Sequence, residues 1–199
     1  VNDTLVAFFG ISSGVINTVA AYPYLRDIFR GKTKPERATW WVWLSLSIIG
    51  LIAQLAAGAT WSVLLTASSV LCVGAIAILS ITYGYGSFHK RDTISLVITG
   101  IGIIISFVIH SPLAALLVVV FVDMVGVWLT LQKSWVAPHT ETLSAWVAAE
   151  VASICALLAV GDFTLAKFIY PLYGVIANGV IVAVVWQRRL SVEYDPVDF

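Results

Sequence analysis

Charge is what this sequence has least of. Only eleven basic and eleven acidic side chains are spread through 199 residues, with three histidines, two cysteines and a single methionine. A soluble domain devotes about a quarter of its residues to charge, so this depletion excludes an ordinary soluble fold. No connection between apolar runs exceeds about a dozen residues, which leaves no room for a soluble catalytic domain. The histidines lack metal-ligand spacing, and no nucleophile–base pair stands out. Tyr83-Gly84-Tyr85-Gly86-Ser87 has no Lys or phosphate-loop context, and reads as a loop. The chain is therefore read as a non-enzyme, with no catalytic residues, no cofactor and no metal. Cys72 and Cys155 both fall inside apolar runs and read as small packing residues rather than a disulfide. The first apolar run lacks a basic segment before it, so it is not read as a cleaved signal.

What is present is apolar sequence, 60% of the chain, at a mean hydropathy of +0.96. It falls into seven runs, at roughly 5–25, 39–58, 61–82, 93–109, 113–131, 142–160 and 164–187. Most approach the ~20 residues that cross ~30 Å of hydrocarbon as helix. Numbering the connections explains the zero net charge, because the charges are segregated. Arg26, Arg30, Lys32, Lys34 and Arg37 lie between the first two runs. Lys90 and Arg91 lie between the third and fourth, Lys133 between the fifth and sixth, and Arg188 and Arg189 after the seventh. With seven crossings all ten share one face, and only Lys167 is left on the other. The positive-inside rule puts that face in the cytoplasm, the N-terminus outside and the C-terminus inside, in the cell membrane. The basic first connection is too short to bind nucleic acid and serves topology or anionic lipid.

The chain also repeats. At an offset of 103 residues, Pro35, Thr39 and Trp43 meet Pro138, Thr142 and Trp146, and Ala53, Leu55, Ala56 and Gly58 meet Ala156, Leu158, Ala159 and Gly161. In each half Pro interrupts helix, Thr is placed to cap the next helix, and Trp sits near the interface. The offset pairs runs 1–3 with runs 5–7. Because three is odd, the intervening fourth run gives both halves the same orientation, as in parallel repeats about an axis along the membrane normal. The expected architecture is all-α: two three-helix bundles and a linker helix, in a 3+1+3 pseudo-two-fold plan. Its parts are 1–88, the linker 89–111, 112–190 and a cytoplasmic tail 191–199.

That plan resembles the SWEET, semi-SWEET and PQ-loop transporter superfamily. Locally, Tyr22-Pro23-Tyr24 followed by a short basic connection to Pro35 and Thr39 is similar to the PQ-loop signature, with Tyr24 in place of Gln. Val175-Ile176-Ala177-Asn178-Gly179 resembles the Ile-Pro-Asn stretch of the last SWEET helix, whose Asn contacts sugar. The resemblance implies a carrier for a small polar solute working by alternating access: a sugar on the SWEET side, and an amino acid or other cationic solute on the PQ-loop side. Proton coupling and facilitated diffusion both fit it.

Two carboxylates, Asp123 and Glu150, fall near mid-span. A charge at the bilayer centre costs about 2.5–3.5 kcal/mol on insertion scales, so such residues usually face a cavity, a partner or an ion. Both are candidates for proton coupling, and a neutral acid bonded to a neighbouring hydroxyl is the alternative. Their runs are adjacent and antiparallel, so both are expected to face one cavity. Asn178 and Asn17 are candidate solute contacts, with helix–helix bonding as the alternative. Trp40, Trp41, Trp43 and Trp146 read as interfacial anchors, with Trp43 or Trp146 available to stack on a solute. Tyr173 belongs with this set, and Gln54 fits gate or packing. Pro23 and Pro171 weaken helical turns and are candidate hinges. A retinal protein would need Lys midway along the last run, whereas Lys167 stands at its start. A ligand sensor, a channel and a homo-oligomer remain open.

Overall fold

The computed structural model describes residues 2–85, 90–108, 111–162 and 164–192. His89, His110, the Gly86–Ser87 end of the glycine loop and the tail beyond Val192 lie outside the described residues. Among those described, seven α helices appear: α1 (Asp3–Phe29), α2 (Arg37–Ala56), α3 (Val63–Tyr83), α4 (Lys90–Val108), α5 (Pro112–Val136), α6 (Leu143–Leu158) and α7 (Leu165–Ser191). A single 3-10 turn, Pro138–Thr140, precedes α6.

Five of these, α1, α2, α3, α5 and α7, are long and apolar enough to cross a membrane, while α6 is apolar but has 16 residues. At 1.5 Å per residue α6 is about 24 Å long and the 27-residue α1 and α7 about 40 Å. Many large apolar side chains point outward. Leu5, Phe8, Ile11, Val15 and Val19 form an exposed stripe on α1, while Gly10, Ser13, Ala20 and Ala21 face inward. Small and polar groups inside with large apolar groups outside is the packing of helices in lipid, where close backbone approach stabilises the bundle.

The helices pack in a repeating pattern. α3 lies against α1 and α2, and α7 lies against α5 and α6; α1 packs on α6 as α5 packs on α2. Advancing each label by four helices converts one set into the other. α4 rests on α2 and α5. The matched glycines share a conformation too. Gly58 after α2 and Gly161 after α6 have φ of 76° and 67°, a left-handed geometry that relieves the helix end at little cost only for glycine. Pro35 and Pro138 are both fully buried.

Two details correct the sequence reading of these helix starts. Glu36, not Thr39, caps α2, its Oε2 accepting the Thr39 N–H at 2.8 Å. Thr142 does occupy the N-cap position of α6, but its hydroxyl is drawn away to Asp27 Oδ2 at 3.2 Å and to Thr33. α1 continues through Pro23 to Phe29, because a single lost backbone bond does not end a helix supported by its neighbours.

Candidate functional site

Small side chains on the inner faces of α1, α2, α3, α5, α6 and α7 leave a cavity of about 190 Å³ between the two helix triplets. That is below the ~300–1,000 Å³ of sites for drug-sized ligands, and suits a small solute. Both halves contribute: Asn17, Ser47, Gln54 and Ser69 from the first, Asp123, Ser153, Tyr173 and Asn178 from the second. Among the described residues Asp123 is the one carboxylate in the lining, and none of them is Lys, Arg or His.

The polar groups are held by neighbours. The Asp123 Oδ2 accepts the Tyr173 hydroxyl at 2.6 Å, joining α5 to α7. Asn178 Nδ2 donates to Ser153 Oγ and to the Gly174 carbonyl, each at 3.0 Å. Asn17 Nδ2 donates to Ser68 Oγ at 2.8 Å and Ser69 Oγ at 3.1 Å. The amide hydrogens of both Asn are thus taken by protein partners, which leaves their oxygens as the parts that can accept from a solute. Gln54, 1% exposed, donates to Thr66 Oγ1 at 2.7 Å and ties α2 to α3.

At the end nearest the basic connections the cavity is floored by aromatic rings. Trp40 and Trp43 meet edge to face with centroids 5.2 Å apart, Trp43 and Trp146 lie at 5.7 Å, and Tyr24 packs on Trp40 at 5.0 Å. Trp43 approaches α5 so closely that a Cβ on Gly126 would lie 2.8 Å from its indole nitrogen.

Beneath the rings is Glu141, 2% exposed. Its Oε1 takes Lys133 Nζ at 2.6 Å, and its Oε2 takes the Trp146 indole N–H at 2.9 Å and the Tyr24 hydroxyl at 3.3 Å. Lys133 also donates to the carbonyls of Thr140 and Lys34, and the Arg189 guanidinium donates to the Glu141 carbonyl. The polar edges of Trp146 and Tyr24 thus point at the network, and both residues also line the cavity. Outside it a second, open hollow of about 660 Å³ is bordered by Asp27, Lys32, His139, Thr142 and Arg189.

Of the residues singled out from sequence, Asn17, Trp43, Trp146, Asp123, Pro171, Tyr173 and Asn178 all line the cavity. Glu150 is not among them. It lies in the α6–α7 seam, where a Cβ on Gly179 would be 3.5 Å from its Oε1 and where its Oε2 is buried without a partner. The helical phase decides this: Ala145, Ala149, Ser153 and Ala156 of α6 face the cavity, and Glu150 is turned toward α7. Its repeat counterpart Ser47 does line the cavity. Pro23 is inside α1 but outside the lining.

Of the four tryptophans read as interfacial anchors, Trp41 is exposed. Trp40 and Trp146 are each 7% exposed and belong to the floor. Trp61, Trp128, Trp135 and Trp186 are exposed as well. Glu141 and the burial of Lys133 escaped the sequence reading, which gave Lys133 to topology alone. The available signal was an acid three residues past the repeat-matched Pro138, facing a lone Lys across a short connection. No group of three or more His, Cys, Asp or Glu side chains positioned for a metal ion occurs among the described residues.

Compared with known protein families, curated proteins and solved structures, the chain matches none.

Proposed function

We propose that this chain is a membrane carrier for a small polar solute, working by alternating access in the manner of the SWEET and PQ-loop transporters it resembles. One observation carries the reading: a cavity lined from both halves of the repeat and closed at the basic face by an aromatic floor latched to Glu141. In this reading the helix triplets α1–α3 and α5–α7 are related by a pseudo-two-fold axis along the membrane normal. Helix α4 is the crossing that restores orientation, and the basic face is cytoplasmic, with the N-terminus outside. Opening to the cytoplasm then requires release of the Glu141 contacts and separation of the rings, with Pro171 in the cavity wall and Pro23 in α1 as the yielding turns. A cavity with one closed end supports a carrier over an open channel.

Proton coupling, if it operates, falls to Asp123 rather than Glu150, because Asp123 shares the cavity with the solute. The test is uptake of a solute panel into proteoliposomes, with and without a pH gradient. Wild type is expected to accumulate at least one small polar solute. Asp123→Asn is expected to lose stimulation by the gradient, and Glu150→Gln to keep it. Binding without uptake would favour a ligand sensor, equal gradient stimulation in both variants would clear both acids of coupling, and no stimulation in wild type would favour a uniporter.

A further inference from the structure

The cavity's charge is one-sided. Among the described residues it holds a carboxylate, Asp123, and no basic group to pair with it. Resting on the reading of this cavity as a solute site, we propose that it selects a small organic ammonium cation that carries no anionic group of its own.

The surroundings of Asp123 support this. Tyr173 occupies one carboxylate oxygen as a neutral donor, which leaves the charge uncompensated. Trp43 packs on Gly126, three residues along α5 from Asp123 and so about 4.5 Å further along the axis. Tyr170 also lines the cavity and packs on Gly50, where an added Cβ would lie 3.4 Å from its ring. Trp43 and Tyr170 thus share the cavity with an acid that has no basic partner among the described lining residues. Ring faces attract cations, and a desolvated carboxylate is stabilised by an entering counter-charge. The two Asn amide oxygens add acceptors for an N–H or O–H of the same solute.

A solute with its own carboxylate or phosphate has nothing to meet it. The nearest cation along α5 is Lys133, ten residues and about 15 Å beyond Asp123, below the aromatic floor. Its ammonium is committed to Glu141 and to the carbonyls of Thr140 and Lys34. Zwitterions and anions are therefore disfavoured, and a neutral polyol gains nothing from the charge.

Binding of tritiated choline to the purified full chain tests this. Competitors are tetramethylammonium, the neutral carbon isostere of choline, glycine betaine and glucose. Choline and tetramethylammonium are expected to bind, with the isostere, betaine and glucose at least about tenfold weaker. Asp123→Asn should lower choline affinity at least about tenfold while leaving affinity for the isostere unchanged. Tyr173→Phe, which keeps the charge, should keep the preference. If Asp123→Asn does not fold, the wild-type ratio of choline to isostere decides. The proposal is overturned if choline does not bind, if the isostere or glucose competes as well as choline, or if folded Asp123→Asn binds choline normally. Counterflow in proteoliposomes separates this from the carrier reading. Choline binding without counterflow overturns carriage and keeps the cation site; glucose counterflow without choline preference does the reverse.

Discussion

Glu141 gathers more of the molecule than any other single side chain described. Its carboxylate and carbonyl receive Tyr24 from α1, Lys133 from α5, Trp146 from α6 and Arg189 from α7. The Lys133–Glu141 pair is buried on both sides, with side chains 0% and 2% exposed. Removing one partner of a buried pair costs about 3–5 kcal/mol, because a charge is left uncompensated, while removing both can be nearly neutral. Lys133→Met is therefore expected to lower the thermal stability of the purified protein sharply. Lys133→Met combined with Glu141→Gln should recover most of the loss. Additive effects of the two substitutions would show that the pair is not coupled. Asn178 presents the opposite case, a polar group at the cavity wall with partners on α6 and its own helix. Asn178→Ala should cost about 1 kcal/mol of stability, the worth of an ordinary hydrogen bond. Uptake should fall by roughly tenfold or more if its oxygen touches solute. Unchanged uptake in a well-expressed variant would remove Asn178 from the site.

At the scale of helices, the meeting of α2 and α5 depends on one missing side chain. Gly126 lets the Trp43 indole lie directly on the α5 backbone, and the Thr39 hydroxyl reaches the Gly126 carbonyl at 3.5 Å. Any larger residue there must push Trp43 out of the floor. Gly126→Val is expected to cost about 1–3 kcal/mol by overpacking. By displacing Trp43 it should also raise the reactivity of a cavity thiol, with native Cys72 in the lining as the reporter, toward a reagent added at the basic face. No change in either melting temperature or labelling rate would mean that the rings do not close this end. The short α6 fits the same picture. It is shorter than the helices around it, but it is packed between α1 and α7 rather than left alone to span lipid.

For the whole molecule, sidedness is the claim that a simple measurement decides. Lys32 is exposed in the connection between α1 and α2, on the face that also carries Arg188 and Arg189. With Cys72 and Cys155 replaced by Ala, Lys32→Cys should resist an impermeant thiol reagent applied to intact cells and react once the cells are opened. Labelling from outside would invert the topology and make the floored end of the cavity extracellular.

The sequence alone determined the long apolar helices and their approximate limits, and it set the expectation of charge sidedness that labelling decides. These follow from composition and local order: apolar runs of spanning length, and Lys and Arg confined to alternate connections. It also revealed the repeat through Pro35/Pro138 and Gly58/Gly161, since a buried proline and a left-handed glycine are demands a single position makes on its own residue. Part of the cavity lining was legible for a related reason: Asn17, Asp123, Tyr173 and Asn178 are polar where lipid would exclude them. Only the tertiary structure decided where each polar group points. A hundred degrees of turn per residue sends Glu150 to the α6–α7 seam while Ala149 faces the cavity, and a tryptophan near a helix start reads the same whether lipid or Glu141 receives its N–H. The Lys133–Glu141 pair, its ring of donors and the floor above it depend on α1, α5, α6 and α7 converging, which helix packing imposes and no local sequence pattern records.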